Sequence, residues 1–317
     1  MNFKTYKRLF LLLLAAALVF SAVGCKSKEE RNAAETGGSG DAADNAAVEE
    51  KGDWKKVKAV SYSPDGSMNC RYEYERDMYG NEIRSTMYTA DGGSILLYEY
   101  GYDANGNEIL YKGFNVDGSI SGRTESEYDA NGNRIKETKY DADGNAEYWI
   151  VYGYDANGNV ITQTSYGANG RIRSRSECEY DANGKMTVET DFNADGSIEC
   201  QYRYAYDANG NQTEVLVLID GKEDRRFEYT YDANGNRIKE TLYCADGSSL
   251  ILCAYEYDAN GNTITETHYA ADGGIERQYQ NEYDTDGHVV KTTYFTDNGC
   301  IGWDEYEWQY FENAPKK

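Results

Sequence analysis

"EYDANGNRIKETKYDADGN" (residues 127–145) contains nearly the same phrase twice, YDANGN and YDADGN, twelve residues apart. In D-A-N-G, the aspartate can accept hydrogen bonds from the backbone of its own turn. Ala and Asn suit the two central positions of a type I turn, and Gly supplies the left-handed residue of a G1 bulge. The phrase therefore predicts a short hairpin connection. The segments between turns are rich in Tyr, Thr, Ile and Glu and lack a 3.6-residue period, which suits strands.

The phrase recurs through most of the 317 residues. Its tyrosines are Tyr102, Tyr128, Tyr154, Tyr180, Tyr206, Tyr231 and Tyr257, with a variant at Tyr283; the spacing is 26, once 25. A second phrase such as FNVDG or YCADG lies between them. Turn glycines, including Gly106, Gly132, Gly158, Gly210, Gly235 and Gly261, alternate in steps of 12 and 14, with one step of 11 before Gly221. Nineteen such glycines from Gly66 to Gly299 imply about 20 strands. An aromatic stands four residues before 17 of the 19, Arg76 and Val217 being the exceptions. The constant offset predicts that all these rings share one face. Connections this short require an antiparallel meander.

With YDANGNRI at 128–135 and again at 231–238, the chain resembles the YD repeats of Rhs-type bacterial proteins over roughly residues 60–300. The resemblance implies a spiralling β-sheet shell. The fold expected is all-β: about 20 short strands in tandem hairpin repeats, curled as a β-solenoid or partial spiral shell. "WKKVKAVSY" (54–62) and "CIGWDEYEWQYF" (300–311), which hold three of the four Trp, are then expected to cap its ends.

Lys4, Lys7 and Arg8 precede an apolar run of fourteen residues, too short for a comfortable transmembrane helix and suited to a signal peptide. The following "SAVGC" resembles a bacterial lipobox, which implies lipidation of Cys25. Residues 26–53 contain no aromatic side chain and suit a flexible tether. The expected organisation is a lipoprotein signal peptide at 1–24, a lipidated Cys and disordered tether at 25–53, hairpin repeats at 54–312 and a tail at 313–317. The protein is expected to be exported and lipid-anchored to the bacterial cell membrane or outer membrane, facing away from the cytoplasm. It would meet the membrane through the lipid alone.

A formal charge of −23 argues against nucleic acid as a partner. DADGN shares a fragment with calcium loops, but lacks the later oxygen ligands and the closing Glu; no metal or other cofactor is expected. Only two His occur, and there is no GxSxG, no Cys–His pair with a recognisable context and no phosphate loop, so no enzyme is expected. Lys136, Thr138, Thr164, Lys239 and Thr241 are too polar for a lipid-facing barrel wall. Cys244 and Cys253 flank one turn and are candidates for a cross-hairpin disulfide. The expected role is a structural or protein-interaction scaffold at the bacterial envelope. The alternative is a glycan or cell-wall binder using exposed aromatics, with Trp149, Trp303 and Trp308 as candidate contacts.

Overall fold

Every one of the nineteen turn glycines has a positive φ, between 72° and 104°. In a computed structural model, which describes residues 53–311, the turns punctuate an all-β chain of 20 antiparallel strands. Each strand pairs with its sequence neighbours. The repeating turn is illustrated by Asp129: its backbone N–H donates to the carbonyl of Asn133, and its own carbonyl accepts from Gly132.

The sheet closes into a barrel, which overturns the solenoid or partial spiral expected from the repeats. The first strand, β1 (Asp53–Tyr62), pairs with the last, β20 (Gly299–Phe311), from Asp53 opposite Phe311 to Tyr62 opposite Trp303. The physical reason is the sheet edge: an open array ends in rows of unpaired N–H and C=O groups, and closure satisfies both rows at once. The aromatic-rich ends are thus two sides of one seam and not caps. Tyr62 stacks on Trp303 at 5.3 Å, Trp54 meets Tyr310 at 5.8 Å, and Lys56 sits over the Tyr306 ring at 4.2 Å.

Twenty strands at about 4.8 Å give roughly 95 Å of wall. Among the described residues no strand approaches any but its ladder neighbours, so the wall is one layer thick. No described side chain is completely sequestered. The most enclosed residues, such as Ser85, Val217, Cys200, Thr267 and Leu242, are small or medium and lie within the wall itself.

Connections alternate between two rims. The aromatics before the turns divide with them, which corrects the expectation that all point one way. Tyr140, at the end of β7 (Arg134–Asp141), pairs with Arg123 of β6 (Ile120–Tyr128). Tyr128 shares the opposite face with Ser126 and Thr124. Successive hairpins are related by a half-turn about a line lying in the sheet, perpendicular to the strands, combined with a step of one strand. That rotation exchanges rims and faces together, so a fixed offset from the turn puts alternate aromatics on opposite faces.

Val217 breaks the aromatic pattern because its turn is different. Between β13 (Gln212–Ile219) and β14 (Lys222–Tyr231), Asp220 and Gly221 both have positive φ, 52° and 72°. This is a two-residue type I′ turn. One residue fewer shifts the phase, so Val217 pairs with Tyr202 and Arg225 on the face opposite to the other aromatics of its rim.

Candidate functional site

The YDANG rim is built from a repeated polar device. The carboxylate of Asp129 accepts from the N–H of Asn131 and Asn133 through Oδ1, and from the Asn133 amide through Oδ2 at 3.0 Å. Asp103, Asp155, Asp207, Asp232 and Asp258 repeat the arrangement. These donors hold the carboxyls below the usual range; for Asp129 the largest cause is the Asn133 side chain. Both carboxylate oxygens are engaged within the turn. Gly106, Gly132, Gly158, Gly210, Gly235 and Gly261 are the left-handed residues of this rim.

The preceding tyrosine ties each hairpin to the one before. The hydroxyls of Tyr102, Tyr128, Tyr154, Tyr180, Tyr206, Tyr231 and Tyr257 donate to the carbonyls of Glu82, Glu108, Arg134, Val160, Met186, Gln212 and Arg237. Tyr283 does the same to Thr263. These carbonyls lie at strand starts, beyond the last ladder pair with the following strand, so the phenol supplies a donor that the sheet does not. Two substitutes complete the ring at the seam. Trp308 Nε1 donates to Val289 at 2.9 Å, and Arg76 donates to Lys56.

Above this ring the tyrosine face is a mixture of phenols and carboxylates, including Tyr152, Tyr202, Tyr204, Tyr229, Glu189 and Glu240. Burial pushes Glu189 and Glu240 upward. Tyr204 donates to Glu189 at 2.8 Å, and Arg237 lies 3.8 Å from Glu240. The other face is charged. Arg84 bridges Glu75 and Glu99, Lys136 meets Glu127 and Lys291 meets Glu282. At its far rim Arg71, Arg123, Arg175 and Arg226 lie over Tyr88, Tyr140, Phe192 and Tyr243. Each is a directly opposed cross-strand pair.

The three candidate tryptophan contacts do not form one site. Trp149 stacks on Tyr166 at 5.5 Å and 12° on the charged face. Trp303 stacks on Tyr62 on that same face, with Lys291 over its ring at 5.3 Å. Trp308 is on the tyrosine face, fixed by its bond to Val289 and packed on His288 at 5.3 Å. The expected lipidation site Cys25, the expected signal peptide, the expected tail and all of the expected tether at 25–53 except Asp53, which opens β1, lie outside the described residues.

The cysteines overturn the suggested disulfide. All six described cysteines are free. Cys244 pairs with Arg225 near the rim, whereas Cys253 pairs with Glu240 and His268 deeper in the sheet. The register separates the two sulfurs.

Sequence reasoning missed two histidine clusters. Asp284, Asp286 and His288 gather ligand-type atoms at a variant turn. Here His288 replaces the usual Asn and meets the Asp284 carboxylate at 3.0 Å, so the turn device itself explains its position. The second cluster joins β16 (Ser249–Tyr257) to β17 (Thr263–Tyr269) on the tyrosine face. Cys253 Sγ lies 3.3 Å from His268 Nδ1, and His268 Nε2 lies 2.7 Å from Glu266 Oε1. Contact with Cys253 and then with Glu266 pushes the imidazole up to about 10 against the opposing effect of burial. The signal was present in sequence as THY in a register usually occupied by other residues, but only the pairing brings Cys253 opposite it.

A family model described as a protein of unknown function (DUF2963) matches residues 114–166 and 220–269. No curated protein matches the chain. Among solved structures, the chain is similar to a porin-like protein from Bacteroides uniformis: identity is 11%, the TM-score 0.38, and the match covers 80% of this chain and 98% of that one. It is also similar to the TcdB2-TccC3-Cdc42 structure, at 11% identity and a TM-score of 0.28. That match covers 80% of this chain and 20% of the other, so this chain spans a fifth of that length. A putative outer membrane lipoprotein-sorting protein domain from Vibrio parahaemolyticus is similar at 9% identity and a TM-score of 0.20, with 83% and 86% of the two chains covered.

Proposed function

We propose that this protein is a non-catalytic scaffold of the bacterial envelope, lipid-anchored through Cys25 and built on YD-like repeats, which binds a protein partner across its barrel wall. The observation that carries this reading is the character of the charged face. Two depressions in the wall, of about 280 and 340 Å³, are shallow and mix charged side chains such as Arg84, Glu99, Lys58 and Glu305 with apolar ones such as Ile83, Leu110 and Val290. Small-molecule sites are normally concave and mostly apolar. Arginines lying over aromatic rings, as Arg71 over Tyr88 and Arg123 over Tyr140, are the residue types enriched at protein interfaces. Cross-linking on intact cells, followed by capture of the anchored protein, tests the reading. A reproducible protein partner lost on charge reversal at Arg84 and Lys291 supports it; unchanged capture removes the charged face from the interface.

A glycan reading is favoured by one specific feature, the near-parallel pairs Trp149–Tyr166 and Tyr62–Trp303. Flat aromatic platforms suit sugar rings. Retention on purified wall polysaccharide, abolished by Trp149→Ala and Trp303→Ala, would favour this second reading over the first.

A further inference from the structure

The seam and rims account for His288, most tyrosines and the turn aspartates. They leave Cys253, His268 and Glu266 outside the turn, rim and seam contacts. The repeat itself does not demand them: the position of His268 is taken by Lys139, Ser165 and Asp191 in other hairpins, and that of Cys253 by Thr124, Ile150 and Ser176. We propose that Cys253 is a reactive thiol, paired with the His268 imidazole and oxidised by small peroxides.

The geometry supports this in three ways. The sulfur is within hydrogen-bond reach of Nδ1, and Glu266 fixes the other ring nitrogen, so the imidazole is oriented at both ends. Tyr279 of β18 (Ile275–Tyr283) packs edge-on against the ring at 5.5 Å, closing the side opposite β16. The sulfur is also guarded without being sealed: Cys253 is 9% exposed, while the His268 side chain beside it is 35% exposed. An exposed imidazole beside a nearly covered sulfur suits attack on a small reagent better than on a macromolecule.

The charges facing the pair come from four strands. Glu266 lies on β17 with His268, and Arg277 pairs with His268 from β18. Tyr255 is next on the same face of β16 and interacts with the thiol. Glu240 faces Cys253 from β15 (Arg237–Cys244), balanced by Arg237. The imidazole lies closest to the sulfur, and by taking the thiol proton on Nδ1 it forms an ion pair with the sulfur it deprotonates.

The reaction balances within the pair. The Cys253 proton passes to Nδ1. The sulfur attacks one oxygen of a peroxide, R–O–O–H; an S–O bond forms and the O–O bond breaks. Sulfur is oxidised by two electrons to sulfenic acid, and the peroxide is reduced. The leaving alkoxide or hydroxide takes the proton from Nδ1 and departs as alcohol or water.

Other thiols of this chain provide the contrast. Cys178 and Cys200 share the tyrosine face but lie against Glu189 and Asp191, with no imidazole. Burial, then Glu189 and Asp191, push Cys178 up to about 12; burial pushes Cys200 up to about 11 against the lowering effect of Tyr202. Cys244 and Cys300 are free and exposed.

The test is alkylation of the folded protein with iodoacetamide from pH 6 to 9, with each cysteine resolved by peptide mass mapping. A parallel arm uses hydrogen peroxide and dimedone trapping. At pH 6, Cys253 should react about tenfold faster than Cys244, with little further rise to pH 8. Dimedone should trap Cys253 first. In His268→Asn, and more weakly in Glu266→Gln, the advantage at pH 6 should disappear while the thermal melt still shows a folded barrel. The wild-type arm decides even if both variants unfold: a Cys253 that stays unlabelled, or follows the pH profile of Cys244, overturns the proposal.

Discussion

Arg76 donates to the carbonyl oxygen of Lys56 through Nε at 3.0 Å and Nη2 at 2.8 Å, the bond that tyrosine hydroxyls make at the next eight turns of the same rim. The residue that broke the sequence pattern thus preserves its chemistry. Removing a charged donor from a half-buried carbonyl costs about 1.5–3 kcal/mol. Arg76→Ala should lower the urea midpoint by that equivalent, and Arg76→Tyr should recover a substantial part. An Ala variant as stable as wild type would show that this bond contributes nothing to the seam.

The ordinary members of the ring are neutral donors. Tyr154→Phe removes only the hydroxyl that reaches the Arg134 carbonyl at 2.7 Å. A loss of about 1 kcal/mol is expected in equilibrium denaturation, with the ring's packing preserved.

Gly302 leaves no room for a side chain at the seam. Its φ is 147°, and a Cβ there would lie 2.5 Å from the Tyr62 carbonyl oxygen. Gly302→Ala should destabilise by at least the 1–3 kcal/mol (roughly) of a strained backbone position. Because β1 and β20 would part, new edges should appear as concentration-dependent oligomers in size-exclusion chromatography.

Acid should act on the barrel in two opposite steps. Glu82, Glu108, Glu189 and Glu240 are raised by burial, so protonating them on mild acidification relieves a cost and stabilises the fold. The turn aspartates, such as Asp103, Asp129 and Asp155, are lowered. Their stabilising contribution is present above the ordinary Asp range and is lost as pH falls through their depressed values. The melting temperature should therefore peak on the acidic side of neutral and fall below about pH 4. A monotonic fall from pH 7 would contradict the burial of the glutamates.

His268 adds an alkaline edge. Its folded value is raised to about 10, so its contribution is fully present below its ordinary value of 6.5 and is lost as pH rises through about 10. Wild type and His268→Asn should differ in melting temperature at pH 6 and converge above pH 10.

Local chemistry was legible in the sequence, and long-range pairing was not. YDANG specified its turn because Asp, Asn and Gly act within five residues. The strand count followed from the glycine spacing. Closure depends on Asp53 meeting Phe311, which no local pattern encodes, and the tryptophans that make the seam looked equally suited to separate caps. The opposed orientation of Tyr128 and Tyr140 required the symmetry of successive hairpins as well as the offset from glycine. Cys253 and His268 stand fifteen residues apart, and only the ladder between β16 and β17 makes them neighbours.

Closure also restricts how such a chain can grow. In a ring whose neighbours all run in opposite directions, the number of strands must be even. Duplication or loss of one strand would force β1 and β20 to run in parallel and destroy the seam. Gain or loss of a 26-residue pair keeps the directions alternating while changing the circumference. The single 25-residue step obeys that arithmetic: Asp220 and Gly221 shorten a turn and leave the parity of the ring intact.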